Sequence, residues 1–260
     1  MSPRLELVDV CVGFGGVRAV DGLSFSVAAG QIRGLIGPNG AGKTTVINAI
    51  TGVVPLLRGE ILLDGARIGG LPAHAISRMG VGRTFQHVEA FGELTVLENV
   101  MIGAGRESRV GLLSSALALP RATKAENSMR DQALSTLEAF GLRDVMNERT
   151  SGLPFGLLKR MDLARSMVAS PKLLLMDEPT SGMSESEADS AIAAARHLAT
   201  MHGTTLLVVE HNMRVMMSLA QQITAVQFGS LIAEGTPAQI QANRTVIDAY
   251  LGEEATDAVH

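Results

Sequence analysis

The chain has 260 residues, 46% of them apolar, and a net charge of −4 without a basic run; this is material for a substantial core but not for the broad positive face that binds nucleic acid. A single cysteine, Cys11, excludes an intrachain disulfide and fits a reducing compartment. The opening MSPRLELVDV predicts no signal peptide, and no apolar run approaches the ~18 residues of a membrane span.

In chain order, the first third reads as strands. LELVDV (5–10) alternates, and LSFSV (23–27) places Leu23, Phe25 and Val27 on one face. Gln31 to Ile36 predicts a short buried strand, and Thr44 to Ile50 a helix with Val46, Ile47 and Ile50 on one face. Between them Gly37, Pro38, Asn39, Gly40, Ala41, Gly42, Lys43, Thr44 and Thr45 contain the spacing G-x-x-x-x-G-K-[ST]. That pattern is a phosphate-binding loop. Glycines let backbone N–H groups turn inward, and the helix N-terminus adds partial positive charge. Lys43 supplies a full charge for β- and γ-phosphates, and the Thr44 hydroxyl is placed to hold Mg²⁺.

GEILLDG (59–65) predicts a strand ending in an Asp-Gly hairpin turn. From about 87 to 166 the spacing becomes helical. KAENSMRDQALSTLEAF (124–140) predicts one amphipathic helix ending at Gly141, and 105–123 a helix broken at Pro120. The last third alternates again: strands at 171–178 and 204–211 flank a helix at 185–201, and strands at 223–228 and 230–235 come after them. Strand–helix alternation predicts an α/β core with a mainly parallel sheet, interrupted by a helical insert.

LLLMDEP ends an apolar strand in two carboxylates. Asp177 stands where a carboxylate would contact Mg²⁺. Glu178, pointing elsewhere in an extended chain, is a candidate general base for attacking water. His211 in VVEHN ends the next apolar strand, which brings it to the sheet edge where open α/β sheets bind ligands. Gln86 ends another strand-like run; by itself it reads either as a surface glutamine or as an amide that reaches Mg²⁺ or water.

In this order the elements resemble the nucleotide-binding subunit of an ABC transporter over nearly the whole chain. The resemblance implies a P-loop NTPase (RecA-like) core with a mainly parallel sheet, an antiparallel β subdomain and an inserted α-helical subdomain. It matches Phe14 to the aromatic residue that stacks on adenine and 37–45 to Walker A. Gln86 matches the Q-loop, and Asp177 and Glu178 match Walker B and the catalytic glutamate. SGMS (181–184) matches the D-loop and His211 the switch histidine. LPFGLLKR (153–160) stands where the family has its LSGGQ signature, so Pro154, Phe155 and Gly156 would face a partner's ATP. The motif context VGRTFQHVEAFGELTVLENV, LPFG, EPTSGM, EHNM and IAEGTPAQI…AYLGEE is similar to the ATPases of branched-chain amino acid importers, whose relatives carry urea or short amides.

The resemblance implies an ATP- and Mg²⁺-dependent ATPase. It would pair with a second, different ABC ATPase and two membrane permeases, indirectly serve an external solute-binding protein, and sit peripherally on the cytoplasmic face of the inner membrane. Nucleic acid is not an expected partner. The expected organisation is one domain over 1–260: core 1–87 and 167–240, helical subdomain 88–166, and a helical tail 241–260. Pro154 replaces the signature serine, Phe155 a glycine, Leu157 and Leu158 glutamines, and Ser184 the D-loop aspartate. Two competing classes are a soluble ABC ATPase acting on ribosomes or DNA, and a nucleotide-binding subunit with little hydrolysis.

Overall fold

A computed structural model describes residues 3–84, 88–104 and 120–257. They fall into two compact units. The first comprises Met1–Arg83, Lys172–Glu178 and Gly203–His260; the second comprises Thr84–Pro171 and Pro179–His202.

The first unit holds two sheets. An antiparallel one has the order β2-β1-β4-β5, built from β1 (Leu5–Phe14), β2 (Val17–Val27), β4 (Arg58–Leu63) and β5 (Ala66–Arg67). The alternation expected for β1 holds for Leu5 and Leu7. It then breaks at a register shift between Leu7 and Val10, where Asp9 has φ 50°, and Val10, Cys11 and Val12 all turn inward. Leu23, Phe25 and Val27 are buried, as their spacing requires. Asp64 and Gly65 both have positive φ, the geometry of a two-residue type I′ hairpin between β4 and β5.

The second sheet has the order β10-β9-β3-β8-β7-β6. Its strands are β3 (Ile32–Ile36), β6 (Val81–Arg83), β7 (Leu173–Asp177), β8 (Thr205–Val209), β9 (Gln222–Gln227) and β10 (Ser230–Gly235). All pairs are parallel except β9–β10. β3, β7 and β8 are buried along their whole length, which explains why their sequences run apolar without alternation.

Helix α1 (Lys43–Ile50) follows β3 and has no side-chain cap. Eight residues do not make a stable helix in water. Its stability comes from burial: Val46, Ile47, Ala49 and Ile50 share one core with Leu5, Leu23 and Ile61 of the antiparallel sheet and with Leu35, Leu175, Leu207 and Val226 of the parallel one. Each such large side chain contributes roughly 1.5–3 kcal/mol. The unit also contains α2 (Ala73–Arg78), α7 (Met213–Leu219), α8 (Pro237–Gln241) and α9 (Arg244–Asp257).

The second unit is helical: α3 (Val96–Ala104), α4 (Pro120–Ala139), α5 (Phe155–Met167) and α6 (Glu185–His202). The helix expected at 124–140 begins at Pro120, a residue suited to a first turn, and its chain turns at Gly141 with φ 64°. The rest of the stretch expected as a broken helix, 105–119, lies outside the described residues, as does Gln86. α3 and α5 pack closely because position 103 carries no side chain; a Cβ at Gly103 would lie 2.0 Å from the Arg165 carbonyl oxygen.

Gly42 precedes α1 with φ 98°, and a Cβ there would lie 2.2 Å from the Ala19 carbonyl oxygen. Gly42→Ala should therefore lower folding stability by ~1–3 kcal/mol, through left-handed strain alone before the clash is counted. Urea unfolding of the variant against the parent chain measures it, and equal midpoints would contradict this account.

Candidate functional site

The carboxyl edge of the parallel sheet gathers the predicted residues of the first unit. Register sets their height: Leu35 pairs with Val209, and Val209 with Asp177, so the chain segments after β3, β8 and β7 leave the sheet side by side. A cleft of about 310 Å³ opens there, lined by Ala19, Asn39 to Thr45, Glu178 and His211. The P-loop, the candidate base and the candidate switch histidine, dispersed over the sequence, thus share one cavity.

Lys43 is buried, and its Nζ donates to the carbonyls of Gly37 (2.7 Å) and Pro38 (2.8 Å). A buried ammonium requires such acceptors, since an unsatisfied one costs several kcal/mol. Triphosphate oxygens are the same kind of acceptor with more charge. Gly42 and the first turn of α1 bring the backbone N–H groups of a helix N-terminus to the same cleft. Phe14 does not line this cavity. It stands at the tip of the β1–β2 hairpin, 53% exposed, with its ring available to an incoming planar group.

β7 ends at Asp177, which is 2% exposed. Burial pushes its carboxyl above the usual range; Arg83 pulls it back, Glu178 pushes it further up, and Lys43 and His211 pull it down. Arg83 Nη2 lies 3.6 Å from Asp177 Oδ2, while its Nη1 donates to Asn48 Oδ1 at 2.7 Å. Burial lowers the Arg83 guanidinium from its ordinary value, and the Asp177 charge opposes that.

Glu178 corrects one expectation. It is not extended: its φ is 50°, and its N–H donates to the Val209 carbonyl at 2.9 Å. Left-handed backbone at a non-glycine residue is strained and collects at functional sites. Here it swings the carboxylate toward His211, whose Nε2 lies 2.9 Å from Glu178 Oε1. The pair lines the cleft together, where a carboxylate can accept a proton from water and the imidazole can hold it in place.

Two polar residues of this edge escaped sequence reasoning. Glu210 is buried and accepts the N–H groups of His211 (3.0 Å) and Asn212 (3.2 Å), which fixes the turn that presents His211. Asn212 then caps α7 by accepting the Val215 N–H at 3.2 Å. An acid directly before a histidine at the end of an apolar strand was the available signal. Arg83 is the other, and a lone cation ending a short strand carries no comparable signal.

The positions expected as the signature lie in the second unit. Pro154 is extended (φ −56°, ψ 148°) and stands at the N-cap of α5 without a side-chain hydrogen bond. Phe155 is 48% exposed. Gly156 passes so close to Glu187 that a Cβ would lie 2.3 Å from its Oε1. Ser184 acts locally. Its N–H and hydroxyl both donate to Glu187 Oε2, at 3.0 and 2.7 Å, closing a capping box at the start of α6.

Comparison with known proteins decides the family. Residues 20–181 match the family described as "ABC transporter", and residues 230–256 match "Branched-chain amino acid ATP-binding cassette transporter". The chain belongs to the ABC transporter family. It is 40% identical to the high-affinity branched-chain amino acid transport ATP-binding protein LivG of Escherichia coli, covering 97% of this chain and 99% of that one. Its identity to BraF of Pseudomonas aeruginosa, of the same description, is 39%, over 96% and 98% of the two chains. A solved ABC-transporter cassette in its ADP conformation superposes with a TM-score of 0.83 at 29% identity, over 97% and 100%. A nucleotide-free one gives 0.82 at 28% identity, over 96% and 99%. The expected P-loop α/β fold, with its antiparallel and helical parts, is therefore the fold of an ABC ATPase.

Because the folded-state pKa of Asp177 is raised, its protonation favours the folded chain. The stability of the parent relative to Asp177→Asn should be fully present below the ordinary Asp range and be lost as pH rises through the raised value. Melting temperatures of the two nucleotide-free chains from acid to neutral pH report this; a pH-independent difference would contradict it.

Proposed function

We propose that this chain is the ATP-hydrolysing subunit that powers an importer of branched-chain amino acids or of a related small solute such as urea or short amides. The solute class rests on the relatives that share nearly the whole chain. Hydrolysis rests on one observation: the Glu178–His211 pair lines the same cleft as the P-loop.

Roles follow from chemistry. The residues 37–45 wrap the phosphates, and Lys43 exchanges two carbonyls for phosphate oxygens. Phe14 stacks on the base. Glu178 accepts the proton of the attacking water, and His211 orients that carboxylate and meets the γ-phosphate. Mg²⁺ fits the donors at hand: the Thr44 hydroxyl lining the cleft and the buried Asp177 carboxylate are hard oxygen ligands, with Gln86 as a third candidate. When bound, the ion would neutralise charge on the β- and γ-phosphates.

The chain works as one cassette domain, with the core at 1–87 and 167–240, the helical part at 88–166 and the tail at 241–260. Its partners are a second ABC ATPase, in a heterodimer, two permeases and, indirectly, a solute-binding protein. No helix among the described residues is long and apolar enough to cross a membrane, so permease contact is what would hold it at the cytoplasmic face of the inner membrane. The decisive experiment is co-expression with candidate permeases and the partner ATPase in vesicles: solute uptake that requires ATP and this chain supports the reading, and its absence overturns it.

Glu178→Gln should keep nucleotide affinity and lower turnover by about 10²- to 10⁴-fold, the span a general base supplies. Undiminished hydrolysis would remove Glu178 from the mechanism.

Pro154 bears on how the two ATP sites divide the work. It carries neither hydroxyl nor N–H, whereas a serine there would add a charge-assisted hydrogen bond to a facing γ-phosphate of roughly 1.5–3 kcal/mol. The site completed by this chain's signature should be the weaker one. In an assembled transporter whose partner ATPase keeps the signature serine, Lys43→Ala should therefore cost more ATPase activity than the same change in the partner. Equal losses would mean that Gly156 and the α5 N-terminus suffice for two equal sites.

A further inference from the structure

The segment at 230–256 carries Tyr250, the chain's one tyrosine, on α9. Its hydroxyl accepts a hydrogen bond from the Gly37 N–H at 2.9 Å, across 213 residues of sequence. Gly37 is buried and opens the P-loop, and its own carbonyl is one of the two that hold Lys43. On its other side the chain passes so near the Val226 carbonyl that a Cβ would lie 2.1 Å from that oxygen. The first peptide of the P-loop is thus gripped between β9 and the Tyr250 phenol.

The helix that brings Tyr250 there is itself held by packing. Val246 and Ala249 are buried, and with Tyr250 they form one face at i, i+3 and i+4. The ring of Tyr250 borders an apolar groove that Met213, Met217, Ile240 and Val246 also line, so α7, α8 and α9 together aim the hydroxyl.

We infer that Tyr250 is a positioning residue for nucleotide binding: its hydroxyl orients the Gly37 peptide and so pre-forms the P-loop, which gives the C-terminal segment a direct role at the ATP site. The inference rests on the nucleotide-binding reading above. Loss of the hydroxyl leaves a buried N–H without its acceptor, and the loop relaxes to find another. ATP then has to re-order the loop, which appears as weaker binding rather than slower chemistry. Glu178, His211 and Asp177 are not reached by this change.

The test uses the full chain and MgATP. Tyr250→Phe keeps the ring in the groove and deletes only the oxygen. It should raise the ATP Kd, and the KM of hydrolysis in parallel, by about three- to tenfold, with kcat within about twofold, as expected for one modest hydrogen bond. Tyr250→His, whose shorter ring brings no acceptor to the place of the phenol oxygen, should not recover the affinity. Thr245→Ala, on an exposed position of the same helix that does not line the groove, should leave Kd unchanged. An unchanged Kd in Tyr250→Phe overturns the assignment. An equal loss in Thr245→Ala also overturns it, because it would show that any perturbation of α9 suffices. If Tyr250→Phe folds poorly, hydrogen exchange of the nucleotide-free parent chain carries the test: a protected Gly37 amide supports the assignment, and an amide exchanging as freely as an exposed loop overturns it. A parent chain that binds no ATP would instead refute the proposed function.

Discussion

Lys43 is a buried cation at the start of a helix that is too short to stand alone. Much of the first unit answers that constraint. An ammonium taken out of water needs oxygen acceptors within reach, and here they are main-chain carbonyls of the loop that precedes it. The loop can fold back over the lysine only if its backbone visits left-handed conformations and passes close to neighbouring carbonyls, which excludes side chains at Gly37 and Gly42. The helix in turn stays in place because both sheets bury it. Without nucleotide the lysine is therefore already satisfied, and phosphate binding is an exchange of acceptors rather than the filling of an empty charge.

The carboxylates at the end of β7 follow a similar logic. Asp177 ends a fully buried strand, so its charge is costly and Arg83 partly compensates it. The next residue leaves the sheet in a left-handed turn, which places Glu178 on His211 instead of continuing the strand direction. Glu210 holds the turn from which His211 projects. Strain at one residue and a buried carboxylate at another thus serve the geometry of a pair that neither strand would present by continuing straight.

In the second unit Glu187 links two motifs that sequence treats separately. It caps α6 with Ser184, in the segment expected as the D-loop, and its carboxylate lies where a side chain at Gly156, in the expected signature, would have to go. Arg160, also on α5, lies 3.9 Å from the same carboxylate. Serine at 184 therefore donates to the Glu187 carboxylate, which an aspartate there would repel, and packing against Glu187 requires glycine at 156.

Local pattern alone determined a great deal. The strand–glycine–lysine–helix stretch, the apolar run ending in Asp177 and Glu178, and the run ending before His211 were legible because phosphate loops and buried parallel strands impose residue types over short distances. The same holds for the hairpin at Asp64 and Gly65, whose positive φ values demand those residues. Tertiary structure decided what depends on partners far apart in the chain. The bulge at Asp9, the left-handed turn at Glu178 and the pairing of Arg83 with Asp177 arise from neighbours that sheet register supplies. Glu210 could be read as an acid but not as the support of a turn. Nothing near Tyr250 in sequence marks it as a partner of Gly37, because that hydrogen bond exists only once α9 has packed beside the sheet edge from which the P-loop departs.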